Sequence, residues 1–90
     1  RPAVIVSSDA YHQGRQEAII AAITSRTDRM LVGDHRIGDW REAGLLFPSV
    51  ATGIIRTIKQ DMIARRLGAL ADDDLQALSR NLKLAMGLEG

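Results

Sequence analysis

The sequence contains no cysteine, which excludes disulfide bonds and thiolate metal sites. It has one Trp, one Tyr and one Phe among its 90 residues, so a core must be built from Leu, Ile, Val and Ala. No apolar run approaches the roughly 20 residues of a membrane-spanning helix, and no signal peptide is recognisable. The sequence therefore predicts no membrane segment, and the lack of cysteine fits a reducing cytoplasm.

The chain is also nearly without net charge, at +1. The basic excess lies before residue 72 and an acidic excess follows it, and most of the basic residues are arginine. Charge alone favours an ordinary mixed surface over a nucleic-acid binder. With 46% hydrophobic and 26% charged residues, the chain is globular. Its length predicts one domain over 1–90, small enough to make oligomerisation a reasonable expectation.

The pattern of apolar residues predicts a mostly β fold with one C-terminal helix, as a small barrel or curled sheet. Between the strands we expect a polar loop at 9–17 and one helical turn at 39–44, capped by Asp39 and ended by Gly44. Gly53 in a strand indicates a bulge or a close backbone approach. The predicted strands cover residues 3–8, 18–24, 30–37, 49–58 and 64–70. For 64–70 a helix is the alternative, which Gly68 and the short length disfavour.

The C-terminal helix has the clearest signal. Three consecutive aspartates at 72–74 suit a helix start, where capping and the helix dipole explain them better than a metal ion does. An apolar stripe follows, and Gly87 supplies a stop. The stripe consists of Leu75, Leu78, Leu82 and Met86.

Few residues suggest chemistry by themselves. His12 and His35 both fall in polar, loop-like surroundings without the spacing of a zinc site, so solvated side chains are expected. Trp40 could stack on a nucleobase, but packing onto the sheet is the favoured interpretation. No glycine-rich phosphate loop is present. The sequence therefore predicts no metal and no cofactor.

A polar cluster ends the most apolar stretch of the chain. The run 18–24 reads as a strand buried on both faces, and it delivers Thr24, Ser25 and Arg26 to its end. Together with Arg1, these residues offer a guanidinium and hydroxyls that can bind a phosphate. RNA carries its own nucleophile, the ribose 2′-OH, so cleavage needs mainly positioning and charge stabilisation. Loop residues that happen to be polar explain the cluster equally well.

Four segments in order carry a resemblance to a known family: RPAVIVSSD, IIAAITSR, DWREAGLLFPS and RRLGALADDDLQAL. They resemble the PemK/MazF toxin endoribonucleases over residues 1–88. The resemblance implies a compact SH3-like β-barrel with a C-terminal helix that forms a homodimer in the bacterial cytoplasm. It also implies metal-independent, sequence-selective cleavage of single-stranded messenger RNA. The expected partner is a small antitoxin whose acidic, flexible tail occupies the RNA groove.

The resemblance also implies site residues. Arg1 matches the catalytic arginine of the Arg-Pro motif, which stabilises the scissile phosphate and helps to transfer protons. Thr24 matches the threonine that closes the AAIT strand and is the second catalytic residue. Ser25 and Arg26 follow it and are expected to bind RNA.

Two departures from the family pattern leave alternatives open. Family members begin further upstream, with a strand reading like R-G-D-I-V and a flexible loop, so the sequence is expected to be N-terminally truncated. Gly53 stands where several members carry an acidic residue, and the acid–base role of that carboxylate is not transferred. A CcdB-like toxin that binds gyrase without cutting RNA, and an inactive antitoxin-binding remnant, are therefore the alternative functions.

Overall fold

The computed structural model describes residues 1–88 and has a four-stranded antiparallel sheet, curled into a half-barrel, with a helix at its C-terminal end. The strand order is β1-β2-β4-β3. The strands are β1 (Ala3–Ile5), β2 (Glu17–Thr24), β3 (His35–Arg36) and β4 (Val50–Lys59). The helices are α1 (Asp9–Gln13), a 3₁₀ turn (Gln60–Met62) and α2 (Asp72–Ala85). The predicted fold class is confirmed.

The core lies between one face of the sheet and α2. Leu78 of α2 is completely buried, as is Ala51 of β4. Trp40 is partly buried and packs against the core, as expected, with the Arg41 guanidinium 4.5 Å from its ring centroid. The core cluster consists of Val4, Ile37, Ala51, Leu78 and Leu82.

Gly53 lies at a bulge and at a close backbone approach, the two features that a glycine inside a strand predicted. The register between β2 and β4 shifts between Ala21 and Ile23, which is a bulge. A Cβ atom on Gly53 would lie 3.2 Å from the Cα atom of Gly33 and 3.2 Å from the carbonyl oxygen of Val32. Because both neighbours are backbone atoms, a side chain here would be tightly packed, so this close approach favours glycine.

The predicted loop at 9–17 is wrong in part, because it contains the short helix α1. Ser8 is the N-cap of this helix: its hydroxyl oxygen accepts a hydrogen bond from the Tyr11 backbone N–H at 3.2 Å. Asp9 adds a carboxylate in the first turn, where the helix dipole favours it. Gly14 then follows the last helical residue.

Two predicted strands are also wrong. Of residues 30–37, only His35–Arg36 form a strand, because the side chain of Asp34 binds the backbone instead. Its carboxylate accepts from the Leu31 N–H at 2.9 Å and from the Gly53 N–H at 2.8 Å. Residues 64–70 form no strand, since no strand among residues 1–88 lies beside them to complete a ladder.

The helical turn at 39–44 is present, with the Ala43 N–H donating to the Asp39 carbonyl at 3.1 Å and Gly44 at a φ of 83°. Strand 18–24 is buried less than expected: within it only Ala18 and Ala21 are fully buried.

The apolar stripe of α2 is only half right. Leu78 and Leu82 are buried, whereas Leu75 and Met86 are 42% and 55% exposed. The buried face begins instead with Asp74, one turn before Leu78. Gly87 follows the helix at a φ of 71°, which confirms the predicted stop.

Candidate active site

The pairing of β1 with β2 brings the chain at Arg1 and at Thr24 to one corner of the sheet. Ala3 pairs with Ala22 in the β1–β2 register, and the Ile23 N–H donates to the Pro2 carbonyl at 3.2 Å, so the pairing continues beyond β1. One further step places Arg1 opposite Thr24. Residues directly opposite each other in an antiparallel pair share a face.

That face is turned away from the core. Val4 is buried against α2, whereas its neighbours Ala3 and Ile5 are exposed. Side chains alternate between faces along a strand, so Arg1 projects to the same side as Ala3 and Ile5. We call this side of the sheet the outer face; it carries Arg1, Ala3 and Ile5 of the first strand, the even-numbered residues of β2, and Arg56 and Ile58 of β4.

Thr24 is held by the turn that follows it. Its Oγ1 accepts a hydrogen bond from the Arg26 backbone N–H at 3.1 Å. A hydroxyl has one proton to donate and two lone pairs. Because the backbone N–H uses a lone pair, the proton of Thr24 is free to be donated to a bound group.

Ser25 and Arg26 lie beside this corner and are exposed. The Nε of Arg26 binds Asp28 Oδ1 at 3.0 Å, and the two side chains are 70% and 67% exposed. An exposed ion pair of this kind contributes about 0–1 kcal/mol. Asp28 is therefore easily displaced by a more highly charged partner.

Arg56 is an outer-face residue that the sequence did not single out. It lies on β4 opposite Ile20 of β2, and it is exposed. The pairing register is what places it on the same side as Arg1, and that register involves a bulge that only Gly53 signals. Regular counting from the Thr24–Val50 pair would place Ile54 opposite Ile20, so the sequence alone does not identify Arg56.

The expectation that both histidines are solvated is wrong. His35 Nε2 lies 2.7 Å from Asp74 Oδ1, with its side chain 18% exposed. His12 lies on α1, half-buried, with Nε2 2.5 Å from Ser7 Oγ. Ser7 Oγ also accepts from the Ile19 N–H at 2.9 Å and lies 3.5 Å from the Ile19 carbonyl oxygen, so it links His12 to β2.

Asp74 has a different role from its neighbours Asp72 and Asp73. Its carboxylate accepts from the Gly38 N–H at 2.9 Å and the Asp39 N–H at 3.0 Å, besides the contact with His35. Burial raises the pKa of Asp74, but the bonds from Gly38, His35 and Asp39 outweigh burial and hold it below 3.8. Through these hydrogen bonds Asp74 connects α2 to the segment after β3. This corrects the prediction of Asp74 as a capping residue.

Within residues 1–88, no group of three or more His, Asp or Glu side chains is arranged to hold a metal ion. No helix in the same range is both long and apolar enough to cross a membrane.

These features define a small protein with a curled antiparallel half-barrel, a C-terminal helix, and an arginine and a threonine at one exposed corner. A model of the PemK-like, MazF-like toxins of type II toxin–antitoxin systems matches residues 1–86, and the chain belongs to this family. No curated protein sequence matches it.

Solved structures agree with this assignment. The chain is similar to the Mycobacterium tuberculosis toxin MazF-mt6, at 25% identity and a TM-score of 0.84, over 100% of this chain and 89% of that one. A mycobacterial endoribonuclease in complex with its cognate antitoxin is 22% identical, with a TM-score of 0.83 over 100% and 84% of the chains. The MazE–MazF complex of Deinococcus radiodurans is 19% identical, with a TM-score of 0.80 over 99% and 87%.

Proposed function

We propose that this toxin-family chain is a metal-independent endoribonuclease that cleaves single-stranded messenger RNA sequence-selectively, with Arg1 and Thr24 as its catalytic residues. The proposal is supported by the β1–β2 pairing, which pairs Ala3 with Ala22 and continues to the bond between the Ile23 N–H and the Pro2 carbonyl. Extended by one residue, this register puts Arg1 opposite Thr24 on the outer face. The similarity to a mycobacterial endoribonuclease supports the same reaction.

The reaction needs little from the protein. The ribose 2′-oxygen attacks the adjacent phosphorus, the O2′–P bond forms and the P–O5′ bond breaks, and the 2′ proton is removed while the 5′-oxygen gains one. The Arg1 guanidinium stabilises negative charge on the phosphate and assists proton transfer. Thr24 donates its free hydroxyl proton to a phosphate oxygen.

The neighbouring residues extend the RNA site. Ser25 adds a hydroxyl next to Thr24, and Arg26 exchanges Asp28 for an RNA phosphate. Arg56 lies farther along the outer face and is placed to bind a second phosphate. Phosphate contacts of this kind hold the strand in place without reading its sequence.

The proposal extends to the cellular setting. We propose a homodimer in the bacterial cytoplasm whose partner is an antitoxin with an acidic, flexible tail. Such a tail would occupy the outer face, where Arg1, Arg26 and Arg56 supply the complementary charge. Exposed large side chains such as Ile54 and Phe47, at 64% and 63%, are consistent with a subunit interface. Light scattering of the purified chain tests the dimer.

The test of the activity is cleavage of a single-stranded RNA pool in EDTA. We expect Arg1→Ala and Thr24→Ala each to lower the cleavage rate by about 10²–10³-fold. Thr24→Ser should retain most of the rate, because it keeps the hydroxyl and the bond to the Arg26 N–H. Arg80→Ala, on the exposed side of α2, is the matched control for lost charge.

The outcome separates the alternatives. Full activity in both variants would show that Arg1 and Thr24 are not catalytic. An uncut RNA pool with the unaltered chain would favour the protein-binding toxin or the inactive remnant, and adding gyrase would then distinguish these two.

A further inference from the structure

A second feature of the outer face is an open pocket of about 310 Å³ at the far end from Arg1 and Thr24. We call it the His12 pocket; it is lined by Ile5, His12, Ala18, Gln60 and Ile63. Its volume is at the lower end of the range of about 300–1,000 Å³ in which small ligands bind. The pocket is therefore large enough for a flat ring but not for a folded segment of chain.

The strand register connects this pocket to the catalytic corner. Ile5 belongs to the same face as Arg1, and Ala18 belongs to the same face as Thr24. Ala18 and Thr24 are six positions apart on β2, which is about 20 Å along an extended strand. Arg56 is paired with Ile20, between the two sites. A single-stranded RNA bound at Thr24 can therefore reach the pocket a few nucleotides away, and its backbone would pass over the guanidinium of Arg56.

The lining has the two components that hold an unstacked nucleobase. Ile5 and Ile63 supply exposed apolar surface, and the imidazole of His12 supplies a ring on which a base can stack.

The orientation of His12 is fixed by Ser7. Ser7 Oγ and His12 Nε2 share a hydrogen bond at 2.5 Å, and Ser7 Oγ also accepts from the Ile19 N–H at 2.9 Å. Among the hydrogen bonds within residues 1–88, none uses Nδ1 of His12, so this nitrogen is available to a base edge.

Gln60 completes the wall of the pocket. Its Nε2 donates to the carbonyl oxygens of His12, Arg15 and Glu17 at 3.2, 2.9 and 2.9 Å. These bonds hold α1 and the following turn at a fixed distance from the 3₁₀ turn. In the described part of the chain, no hydrogen bond uses Oε1 of Gln60, which leaves this oxygen as an acceptor.

We propose that the His12 pocket receives one nucleobase of the RNA substrate and that His12 is a specificity-determining residue at that position. This inference rests on the proposed ribonuclease function. Charge favours RNA as the occupant, since Arg56 is paired with Ile20 on the outer face, between the pocket and the corner that carries Arg1 and Thr24. Two carboxylates lie nearby: Glu17 is on the other face of the sheet by alternation, and Asp61 is an exposed residue after Gln60.

The first arm of the test is cleavage of an RNA pool with randomised positions on both sides of the cut, by the unaltered chain and by His12→Ala. We expect the preference at one position, a few nucleotides from the cut, to fall by about tenfold, with KM raised and kcat little changed. Gln13→Ala, an exposed substitution next to His12, is the control. Ser7→Ala should weaken the same preference, because it releases the His12 ring. Thermal melts verify that each variant is folded.

The second arm measures binding without cleavage. The four nucleoside monophosphates are added to the protein, and the NMR signals of the Ile5 and Ile63 methyl groups are followed. Shifts that His12→Ala abolishes support the pocket even if the chain cuts no RNA, in which case only the ribonuclease function fails. Active enzyme whose preference is unchanged in His12→Ala overturns the pocket proposal and leaves the function intact. No cleavage and no shifts overturn both.

Discussion

Replacing Asp74 by alanine should destabilise the fold more than any other change at the start of α2. The Asp74 carboxylate is 8% exposed and accepts hydrogen bonds from the Gly38 N–H, the Asp39 N–H and His35. The alanine variant leaves these three donors without their acceptor. Asp74 is also the first residue of the buried face of α2, so the change loosens the helix where it meets the sheet.

The magnitude follows from these contacts. A donor that loses its partner costs about 1–3 kcal/mol, and the lower end applies where water can replace the acceptor. Gly38 and Asp39 are exposed residues, so water reaches part of this site. We therefore expect a loss of about 2–4 kcal/mol in the free energy of unfolding. For a domain of this size that lowers the Tm by about 10–20 °C.

The sign of the pH dependence is set by the lowered pKa of Asp74. A carboxyl group whose pKa is lower in the folded state contributes stability that is fully present above its unfolded pKa. That contribution is lost as the pH falls through the folded pKa, which here lies below 3.8. The difference between the unaltered chain and Asp74→Ala should shrink as the pH falls below about 4.

Urea unfolding followed by circular dichroism, at several pH values between 7 and 3, measures this difference. Asp73→Ala is the matched control: it is exposed in the same helical turn and should cost only about 0.3–1 kcal/mol through the helix dipole. Asp74→Asn should fall between the two because it keeps one acceptor oxygen. Equal losses for Asp73→Ala and Asp74→Ala, or a difference that does not change with pH, would refute the role assigned to Asp74.

Two further predictions concern packing. Gly44→Ala should lower the free energy of unfolding by more than about 2 kcal/mol, because φ is 83° and the added Cβ would lie 2.2 Å from the Leu67 carbonyl oxygen. The control in the same thermal melting experiment is Gly14→Ala, where a Cβ meets nothing within 4 Å. Equal Tm values for the two variants would contradict this reasoning. Leu78→Ala should cost about 3–5 kcal/mol in urea unfolding, as expected for a completely buried leucine. Leu84→Ala, at 70% exposure, should cost almost nothing, and a similar loss in both would argue against the core as described.

The parts of the fold that could be predicted from the sequence are those with a strong periodic pattern. Strand β2, most of β4 and the helix α2 follow from runs of apolar residues that have the right spacing and length. The bulge at Gly53 and the stop at Gly87 follow from the freedom of glycine. These signals are local, so they are complete within a few residues of sequence.

The missed elements depend on partners that are distant in the chain. Asp34 removes residues 30–34 from the sheet by binding two backbone N–H groups, one of them on β4. Residues 64–70 have strand-like composition, but a strand needs a neighbour to complete its hydrogen bonds. Only α1 had a local signal that was overlooked, since Ser8 followed by Asp9 is a common start of a helix.

The candidate site likewise contains residues that the sequence indicated and residues whose position depends on contacts between distant parts of the chain. Resemblance to the family pointed to Arg1 and Thr24, and the register places them opposite each other; whether they are catalytic stays a prediction. Resemblance gave no indication of Arg56 or of His12, because their relation to that corner depends on pairing across three elements. The contact between His12 and Ser7 spans only five residues, yet it is visible only once α1 is recognised as a helix.

The register of β1 connects the packing of the core to the chemistry of the outer face. Val4 is 9% exposed and belongs to the core cluster, and this burial is what turns the residues on either side of it outward. A shift of one residue would place Val4 outside and Arg1 toward the core. Burying the Arg1 guanidinium without a partner would cost far more than the shift could gain. The same alternation of side chains that buries Val4 therefore turns Arg1 toward Thr24 and Ile5 toward the His12 pocket. One pairing register thus sets both the proposed point of cleavage and the proposed point of base recognition.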